Sequence, residues 1–315
     1  MKRYIAKRII SLLPVLLVVS VVIFMLIHLT PGDPARTMLG GDASEEEVEA
    51  LRESMGLNDA LPVQYGKWIA GLFRGDLGES VFIDQPMTEI LAEHISVTLS
   101  ITFFSLLIAL VVAIPFGIIA AKHRGRAPDQ AITAFTMCGI SIPSFLMGLF
   151  LILIFAVKLH ILPVAGYKTI AEAGFAKHLK YEIMPCVSLG LMQAALITRM
   201  TRSSVLDVLY MDYIKMAKAK GVSERKLIMK HALRNALLPI ITVVGQSFIA
   251  LLSGAVVVES VFNIPGIGQL IVNSVLRRDY EVIQAIVLVI ALINVLITLL
   301  MDLLYAAADP RVKME

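Results

Sequence analysis

The chain lacks the residues and motifs that mark most enzymes and redox proteins. It has two cysteines in 315 residues, Cys138 and Cys186, and both lie in or beside apolar runs. We interpret them as small apolar packing residues rather than as a disulfide or a metal pair. There is no G-x-x-x-x-G-K-[ST] phosphate loop, H-E-x-x-H zinc pair or G-x-S-x-G nucleophile turn. The sequence therefore predicts no catalytic residue, no metal site and no cofactor within this chain.

Long apolar runs account for most of what is present. Hydrophobic residues make up 57% of the chain, and a helical run of about 20 such residues crosses about 30 Å of hydrocarbon. We predict an all-α membrane protein in the lipid bilayer with six transmembrane helices, at Ile9–Leu29, Val97–Ala121, Ala131–Val157, Met184–Thr198, Ala236–Val258 and Val282–Ala307. The fourth is the shortest and extends toward Leu209. The first is too long for a signal-peptide core, and no A-x-A-like cleavage site follows it.

Lys and Arg are absent from these spans and unevenly divided among the segments that connect them. Eighteen of the 28 lie in segments assigned to the inside and ten in segments assigned to the outside. Because cytoplasmic segments carry the excess of Lys and Arg, both termini are predicted to be cytoplasmic. The predicted parts are residues 1–29 (N-terminal segment and first span), 30–96 (extracytoplasmic cap), 97–308 (five-helix core containing the cytoplasmic loop 199–235) and 309–315 (cytoplasmic tail).

Only one acidic residue, Asp302, falls within a predicted span. An acid inside a membrane is a functional candidate; the alternative, which we favour, is an interfacial residue hydrogen-bonded to a neighbouring helix. A proton- or sodium-coupled transporter would keep several ionisable groups or broken helices near the midplane. We therefore expect the energy source to be another polypeptide.

The outer segment 30–96 holds thirteen acids against four bases and has its own helical pattern. Its opening TPGDP, Thr30–Pro34, predicts an extended turn. Ser44 is placed to cap a helix that begins with three acids and carries apolar residues at spacings of three and four, before Gly56 ends it. A second helix is predicted over Pro62–Phe73. These patterns predict a folded cap rather than a solvated acidic insert.

The inner segment 199–235 has nine Lys and Arg residues against three acids. Its middle predicts two short helices joined by a bend, with Gly221 in the left-handed conformation and Ser223 capping the second helix. The alternative is an unstructured positive loop. A folded helix–bend–helix on the cytoplasmic face instead favours a surface for a soluble partner.

The chain resembles the permeases of binding-protein-dependent ABC importers, in their peptide and nickel branch. The matching motifs extend over nearly the whole chain: PGDP after the first span, GLN, PVQYGKW and GDLG in the outer segment, GISIPSF (Gly139–Phe145), LITRMTRSSVLDVL (Leu196–Leu209), DYIKMAKAKG (Asp212–Gly221), HALRNALLP (His231–Pro239), VFNIPGIG (Val261–Gly268), RRDY (Arg277–Tyr280) and DLLYAAADPR (Asp302–Arg311). The resemblance implies the type I importer permease fold with both termini inside, in the cytoplasmic (inner) membrane of a prokaryote.

In that family the basic segment carries a coupling helix that enters a groove of the ATPase. The family motif is roughly E-A-A-x-x-x-G, and aligned on Gly221 this chain has Lys215, Met216 and Ala217 at the first three positions. The missing Glu removes any basis for a Glu-based salt bridge to the ATPase. The residues assigned to coupling are Asp212, Tyr213, Lys215, Met216, Ala217, Lys218, Ala219, Lys220, Gly221 and Arg225.

The resemblance also implies the partners and a path. The partners are a second homologous permease, two ABC ATPase subunits that bind ATP and Mg, and an extracytoplasmic solute-binding protein; no nucleic acid is expected. The residues assigned to the translocation path are Ser141, Gln193, Gln246, Ser247 and Asn294, although each could instead only hydrogen-bond between helices. Those assigned to binding-protein docking are Glu45, Glu46, Glu47, Pro265 and Gly266. Short peptides are the expected substrate, with nickel chelates, glutathione or oligosaccharides as alternatives, and a secondary transporter or a membrane scaffold as other classes.

Overall fold

The computed structural model describes residues 2–29, 33–40, 43–78, 80, 82–83 and 85–308. The first three residues of TPGDP, Glu79 and the predicted tail 309–315 therefore lie outside the described residues. The helices are α1 (Lys2–Leu29), α2 (Pro34–Leu39), α3 (Glu45–Ser54), α4 (Leu61–Phe73), α5 (Met87–Lys122), α6 (Ala127–Ser141), α7 (Ser144–Leu151), α8 (Ile170–Ala173), α9 (Phe175–Leu209), α10 (Asp212–Ala219), α11 (Glu224–Lys226), α12 (Leu233–Phe262), α13 (Ile267–Arg277) and α14 (Tyr280–Ala308). Short π-helical runs follow α7 (Ile152–Lys158) and α11 (Leu227–Ala232).

Four of these helices are long and apolar enough to cross a membrane: α5, α9, α14 and the continuous run from Glu224 to Phe262. The helices on either side of Pro143 form a fifth candidate only if taken together, and α1 contributes a shorter apolar helix at Ile10–Met25. The six-span count and the cytoplasmic placement of the termini stay predictions.

The predicted third span, Ala131–Val157, is not a single straight helix. It breaks between Ser141 and Ser144, where the two halves meet at 100°. The cause is Pro143, because the residue before a proline is forced out of the helical region, and Ile142 has the extended angles φ −95° and ψ 118°. The expectation of one uninterrupted span here was wrong.

The chain forms two compact units, Met1–Ser96 with Gln269–Leu296 and Val97–Gly268 with Ile297–Glu315. In the first unit, Phe24 of α1 contacts the rings of Tyr65 and Trp68 on α4, and the Tyr65 and Ser20 hydroxyls are 2.7 Å apart. Ser44 caps α3, as predicted, and Glu47 completes a capping box with it. Hydrogen bonds from the Ser44 backbone N–H and hydroxyl hold the pKa of Glu47 below its usual value.

The second unit is centred on α9, which packs along α12 and against α6 and α7. Small residues permit close approach of α5 to α9: a Cβ at Gly190 would meet the backbone of Ser105, and one at Gly117 would meet Thr201. Close backbone approach through small residues is typical of membrane helix packing. This arrangement sets the side chains of α9 and α12 that form the site described next.

Candidate translocation cavity and coupling surface

A cavity of about 500 Å³ lies between α9 and α12. Its lining consists of Gln193, Leu196, Arg199, Met200, Arg202, Ser203, Val243, Gln246, Ser247 and Ala250. Three of the five residues assigned to the path, Gln193, Gln246 and Ser247, therefore share one cavity, because they occupy the facing sides of two packed helices. Ser141 and Asn294 are not part of this lining, and the Ser141 hydroxyl donates to its own helix at Met137 O, 2.9 Å away.

The cavity also contains a hydrogen-bond acceptor without a partner. Gln193 is 5% exposed, and its amide oxygen has no hydrogen-bond partner in the described part of the chain. Leaving such a group buried and unpaired costs about 1–3 kcal/mol.

Two arginines in the wall were assigned to the cytoplasmic loop because the predicted span ended at Thr198. Helix α9 runs to Leu209, the residue toward which the fourth span was predicted to extend, so Arg199 continues the face that carries Gln193 and Leu196 at intervals of three. Arg202 is held by Asp129, with its Nε and Nη2 2.6 and 2.8 Å from the two carboxylate oxygens. Arg199 is exposed and makes no ion pair with any described residue. It leaves a guanidinium available at the cavity.

The predicted coupling helix is present as α10, and Gly221 follows it with φ +80°, as predicted. The expected second short helix is not separate: α11 leads through a π-helical run into α12. Ser223 occupies the capping position of α11, but its hydroxyl makes no capping hydrogen bond.

The faces of α10 differ in exposure. Ile214 is buried against Val205 and Leu206 of α9, whereas Met216 is 63% exposed. Ala217 is half-buried and packs against the same apolar cluster as Ile214. All residues of α10 except Ile214 and Ala217 are exposed, and Met216 is the large exposed aliphatic side chain among them.

Charged residues of α10 and its surroundings are only partly paired. Lys215 lies 2.8 Å from Asp212, and Lys122 lies 3.3 Å from Glu224. Lys218, Lys220 and Arg225, all assigned to coupling, make no ion pair within the described part of the chain. Ala219 is exposed at the end of the helix.

Sequence reasoning missed a buried carboxylate, Glu259, because the fifth span was ended one residue before it. Helix α12 runs to Phe262, and Glu259 is 0% exposed. Its two oxygens accept hydrogen bonds from the Thr98 hydroxyl (2.6 Å) and the Gly268 N–H (2.7 Å). It thereby holds the VFNIPGIG turn, in which Pro265 is exposed but Gly266 is buried against Glu259.

A second missed acid, Glu182, lies within α9 and is 0% exposed. Its carboxylate is 3.2 Å from Nε2 of His178, whose Nδ1 is 2.8 Å from the Lys168 carbonyl oxygen. A carbonyl can only accept, so Nδ1 carries a hydrogen. Nε2 lies within ion-pair distance of Glu182, but neither Glu182 oxygen has a hydrogen-bond partner among the described residues. Glu182 and Glu259 lie in long apolar helices but just outside the predicted spans Met184–Thr198 and Ala236–Val258, so the interpretation of Asp302 as the one acid inside a span stays a prediction.

The acids assigned to binding-protein docking lie at the start of α3, and all three are exposed. Glu45 pairs with Arg36 and Glu47 belongs to the capping box. Glu46 has no ion pair among the described residues and is the acid most available to a partner.

Comparison with known proteins agrees with this architecture. Residues 113–314 match the family described as binding-protein-dependent transport system inner membrane component, and residues 1–102 match the N-terminal part of such membrane components. The chain belongs to this family. It is therefore a multi-pass inner-membrane permease of the ABC importer class, and the alternatives of a secondary transporter and a membrane scaffold are set aside.

Several relatives match over almost their full length. A probable peptide ABC transporter permease of Sinorhizobium fredii is 41% identical over 310 residues, covering 98% of this chain and 99% of the relative. The glutathione transport system permease GsiC of Salmonella paratyphi A is 42% identical over 313 residues, covering 99% of each chain.

Among solved structures, a chain of the MetNI methionine ABC transporter in an inward-facing form matches with TM-score 0.60. The match has 19% identity and covers 72% of this chain and 100% of that one. An amino acid ABC transporter matches with TM-score 0.51 and 15% identity, covering 69% of this chain and 93% of that one. At these identities the likeness shows the fold, which is that of type I importer permeases.

Proposed function

We propose that this permease forms, with a second homologous permease, the path for short peptides in an ATP-driven importer. The supporting observation is the cavity between α9 and α12, in which two glutamines, Ser247 and the unpaired guanidinium of Arg199 meet. Amide and hydroxyl groups hydrogen-bond to peptide units, and a guanidinium binds a carboxylate in a bidentate geometry. A short peptide carries both kinds of group.

The relatives favour the same chemical class. One is named for peptides and the other for glutathione, which is itself a tripeptide. An unmodified oligosaccharide has no carboxylate for Arg199. The cavity lining among the described residues also has no aromatic side chain on which a sugar ring could stack.

In the proposed importer, two ATPase subunits supply ATP hydrolysis, and an extracytoplasmic solute-binding protein delivers the peptide. The outward surface of α10 is proposed to contact an ATPase subunit, since Met216 exposes an apolar side chain there beside the charged residues Asp212 and Lys215. Removing that apolar surface from water favours association by about 25 cal/mol per Å².

The substrate is tested by uptake in cells that lack their other peptide importers and express the complete system. Labelled dialanine, trialanine and glutathione should accumulate in an ATP-dependent manner, and unlabelled peptides should compete. Accumulation of a nickel chelate or of raffinose, without any of the three peptides, would contradict the proposal.

The cavity is tested in the same cells with Arg199→Gln, and with Lys226→Gln as a matched control because Lys226 is exposed outside the cavity. Loss of a charge-assisted hydrogen bond costs about 1.5–3 kcal/mol, so Arg199→Gln should lower uptake at limiting peptide concentration by roughly tenfold or more. Equal uptake by both variants at equal expression would remove Arg199 from the path.

A further inference from the structure

We propose that the cytoplasmic end of the second unit contains a binding site for an anionic phospholipid, separate from the translocation cavity. A second cavity of about 550 Å³ lies between the α5–α6 connection and the α9–α10–α11 region. That volume is within the range of small-molecule sites, about 300–1,000 Å³. The site does not depend on which substrate the permease carries.

The rim of the cavity is strongly basic. Lys122, His123, Arg124, Arg126 and Lys218 line it, with Glu224 as the one acid in the lining. Glu224 is paired with Lys122, at 3.3 Å. The rim therefore has a net positive charge that its own acid does not neutralise.

Two of these cations have no partner in the described part of the chain. Arg124 donates to the Tyr210 hydroxyl at 2.5 Å and lies 5.2 Å from the centre of that ring. Arg126 and Lys218, by contrast, are exposed and make no ion pair or side-chain hydrogen bond with described residues. They approach the cavity from different elements, the α5–α6 connection and α10. An anion between them would be contacted from both sides.

The floor of the same cavity is apolar. It is formed by the buried side chains of Leu206, Ile214, Leu227 and Ile228. A soluble anion such as phosphate gains nothing from such a floor, whereas a molecule with a charged head and hydrocarbon chains matches both surfaces. The combination of a basic rim and an apolar floor therefore favours a lipid.

The place of the cavity in the fold supports the same occupant. Its wall includes Ala121 and Lys122 at the end of α5 and Leu209 at the end of α9, and both helices are apolar enough to span the membrane. These helix ends are predicted to be cytoplasmic, where anionic lipids attract basic groups near the membrane surface. We infer that the phosphodiester of phosphatidylglycerol contacts Arg126 and Lys218 while an acyl chain covers the apolar floor.

The test is native mass spectrometry of the full-length chain in detergent, with phosphatidylglycerol and with phosphatidylcholine of the same acyl chains. The wild-type chain should bind phosphatidylglycerol about tenfold more tightly or better. The double variant Arg126→Gln/Lys218→Gln should reduce that affinity to the phosphatidylcholine level. The control Lys226→Gln/Lys230→Gln removes the same charge from the same face, outside the cavity lining, and should leave the preference unchanged.

Several outcomes would overturn the proposal. Unchanged phosphatidylglycerol binding by Arg126→Gln/Lys218→Gln would show that these two residues do not hold the lipid. An equal loss of binding in both double variants would show that the preference is a general effect of positive charge. Displacement of the lipid by millimolar glycerol 3-phosphate would identify a site for soluble phosphates instead. Retained lipid with loss of co-purified ATPase subunits would identify a protein contact. If the double variant is not monodisperse, Arg126→Gln and Lys218→Gln are measured singly, each with an intermediate loss expected.

Discussion

Glu259 and Gly221 illustrate two ways in which a single residue determines the local structure of this permease. Glu259 is a buried carboxylate that joins α12, Thr98 of α5 and the first turn of α13. Gly221 occupies open space, with nothing within 4 Å of where a Cβ would stand, so its requirement is the backbone angle of φ +80° alone. The first residue acts through its partners and the second through its conformation.

Replacing Glu259 should destabilise the second unit. Glu259→Ala leaves the Gly268 N–H without its acceptor in a buried site, at a cost of about 1–3 kcal/mol for that group, in addition to the loss of packing. The midpoint of thermal unfolding in detergent should fall by several degrees. Glu46→Ala, which alters an exposed acid, should leave it nearly unchanged. Equal midpoints for the two variants would show that the Glu259 hydrogen bonds add no net stability.

Substitutions at Gly221 should distinguish the effect of its backbone conformation from the effect of side-chain size. Val at φ +80° pays the left-handed penalty of about 1–2 kcal/mol and the added restriction of a β-branched side chain, whereas Asn tolerates this region. Gly221→Val should therefore lower uptake at normal membrane levels and Gly221→Asn should largely retain it. Equal losses for Val and Asn would mean that the absence of a side chain, rather than the angle, is what matters.

Helices α10 and α3 are the elements proposed to contact soluble partners. In α10 the inner face packs through Ile214 and partly through Ala217, so only its other face is available. In α3, Glu47 is used by the capping box and Glu45 by Arg36. The structure therefore indicates that Met216 in α10 and Glu46 in α3 are the residues to substitute when a contact with a partner is tested.

Met216→Glu should disrupt coupling without disrupting the permease. The side chain is exposed, so the chain should insert normally, but a charge replaces the apolar surface proposed to contact the ATPase. Uptake and co-purification of the ATPase should fall by tenfold or more if about 1.4 kcal/mol or more of association is lost. Met216→Leu, which keeps the apolar surface, serves as the control. Ala217→Trp is a less specific test, because it would also disturb the cluster around Ile214. Full ATPase association by Met216→Glu would place the contact elsewhere.

Glu46→Lys should report on binding-protein docking at α3. It changes the charge by two without removing the capping box or the Arg36 pair. Because exposed charges act through screened, long-range attraction, stimulation of ATP hydrolysis by the binding protein should change at low salt and recover toward wild type at high salt. Glu53→Lys, near the other end of α3, tests whether position matters. The proposed contact fails if Glu46→Lys has no effect at low salt.

At the scale of the whole molecule, the chain combines a family-wide helical core with an N-terminal part that carries its own small helices. The N-terminal family match ends at residue 102 and the main one begins at 113, so both limits lie shortly after Ser96, where the chain passes from the first compact unit into the second. The predicted orientation of the chain across the membrane rests on the distribution of Lys and Arg.

Orientation can be measured with a reporter that is active only in the cytoplasm. Fusions after Lys122, Lys220 and Glu315 should be active, and those after Glu53, Lys177 and Arg277 inactive, because the basic segments stay inside. The fusion after Lys177 is the most informative, because it tests whether the bent pair α6 and α7 crosses the membrane before that residue. An active fusion at Glu53 or Lys177 would require a different membrane topology.

Patterns local to the sequence were enough to predict the long apolar helices, the N-cap at Ser44, the left-handed Gly221 and the family. Each of these depends on a span of residues short enough to be read directly, since helix length, caps and backbone angles are set by near neighbours. Pro143 is a local signal of the same kind, and the break it causes in the third span could have been predicted from the sequence.

Tertiary structure alone decided the cavity and the buried acids. Gln193 and Gln246 share a wall only because α9 packs along α12, and the contact that satisfies Glu259 comes in part from Thr98, 161 residues away in the chain. Ending a span at a charged residue is a sound rule when that charge has no partner. A carboxylate can remain inside once packing supplies its donors, because the cost of burial depends on whether hydrogen bonds replace water. That replacement is a property of the folded contacts and not of the run of residues around the acid.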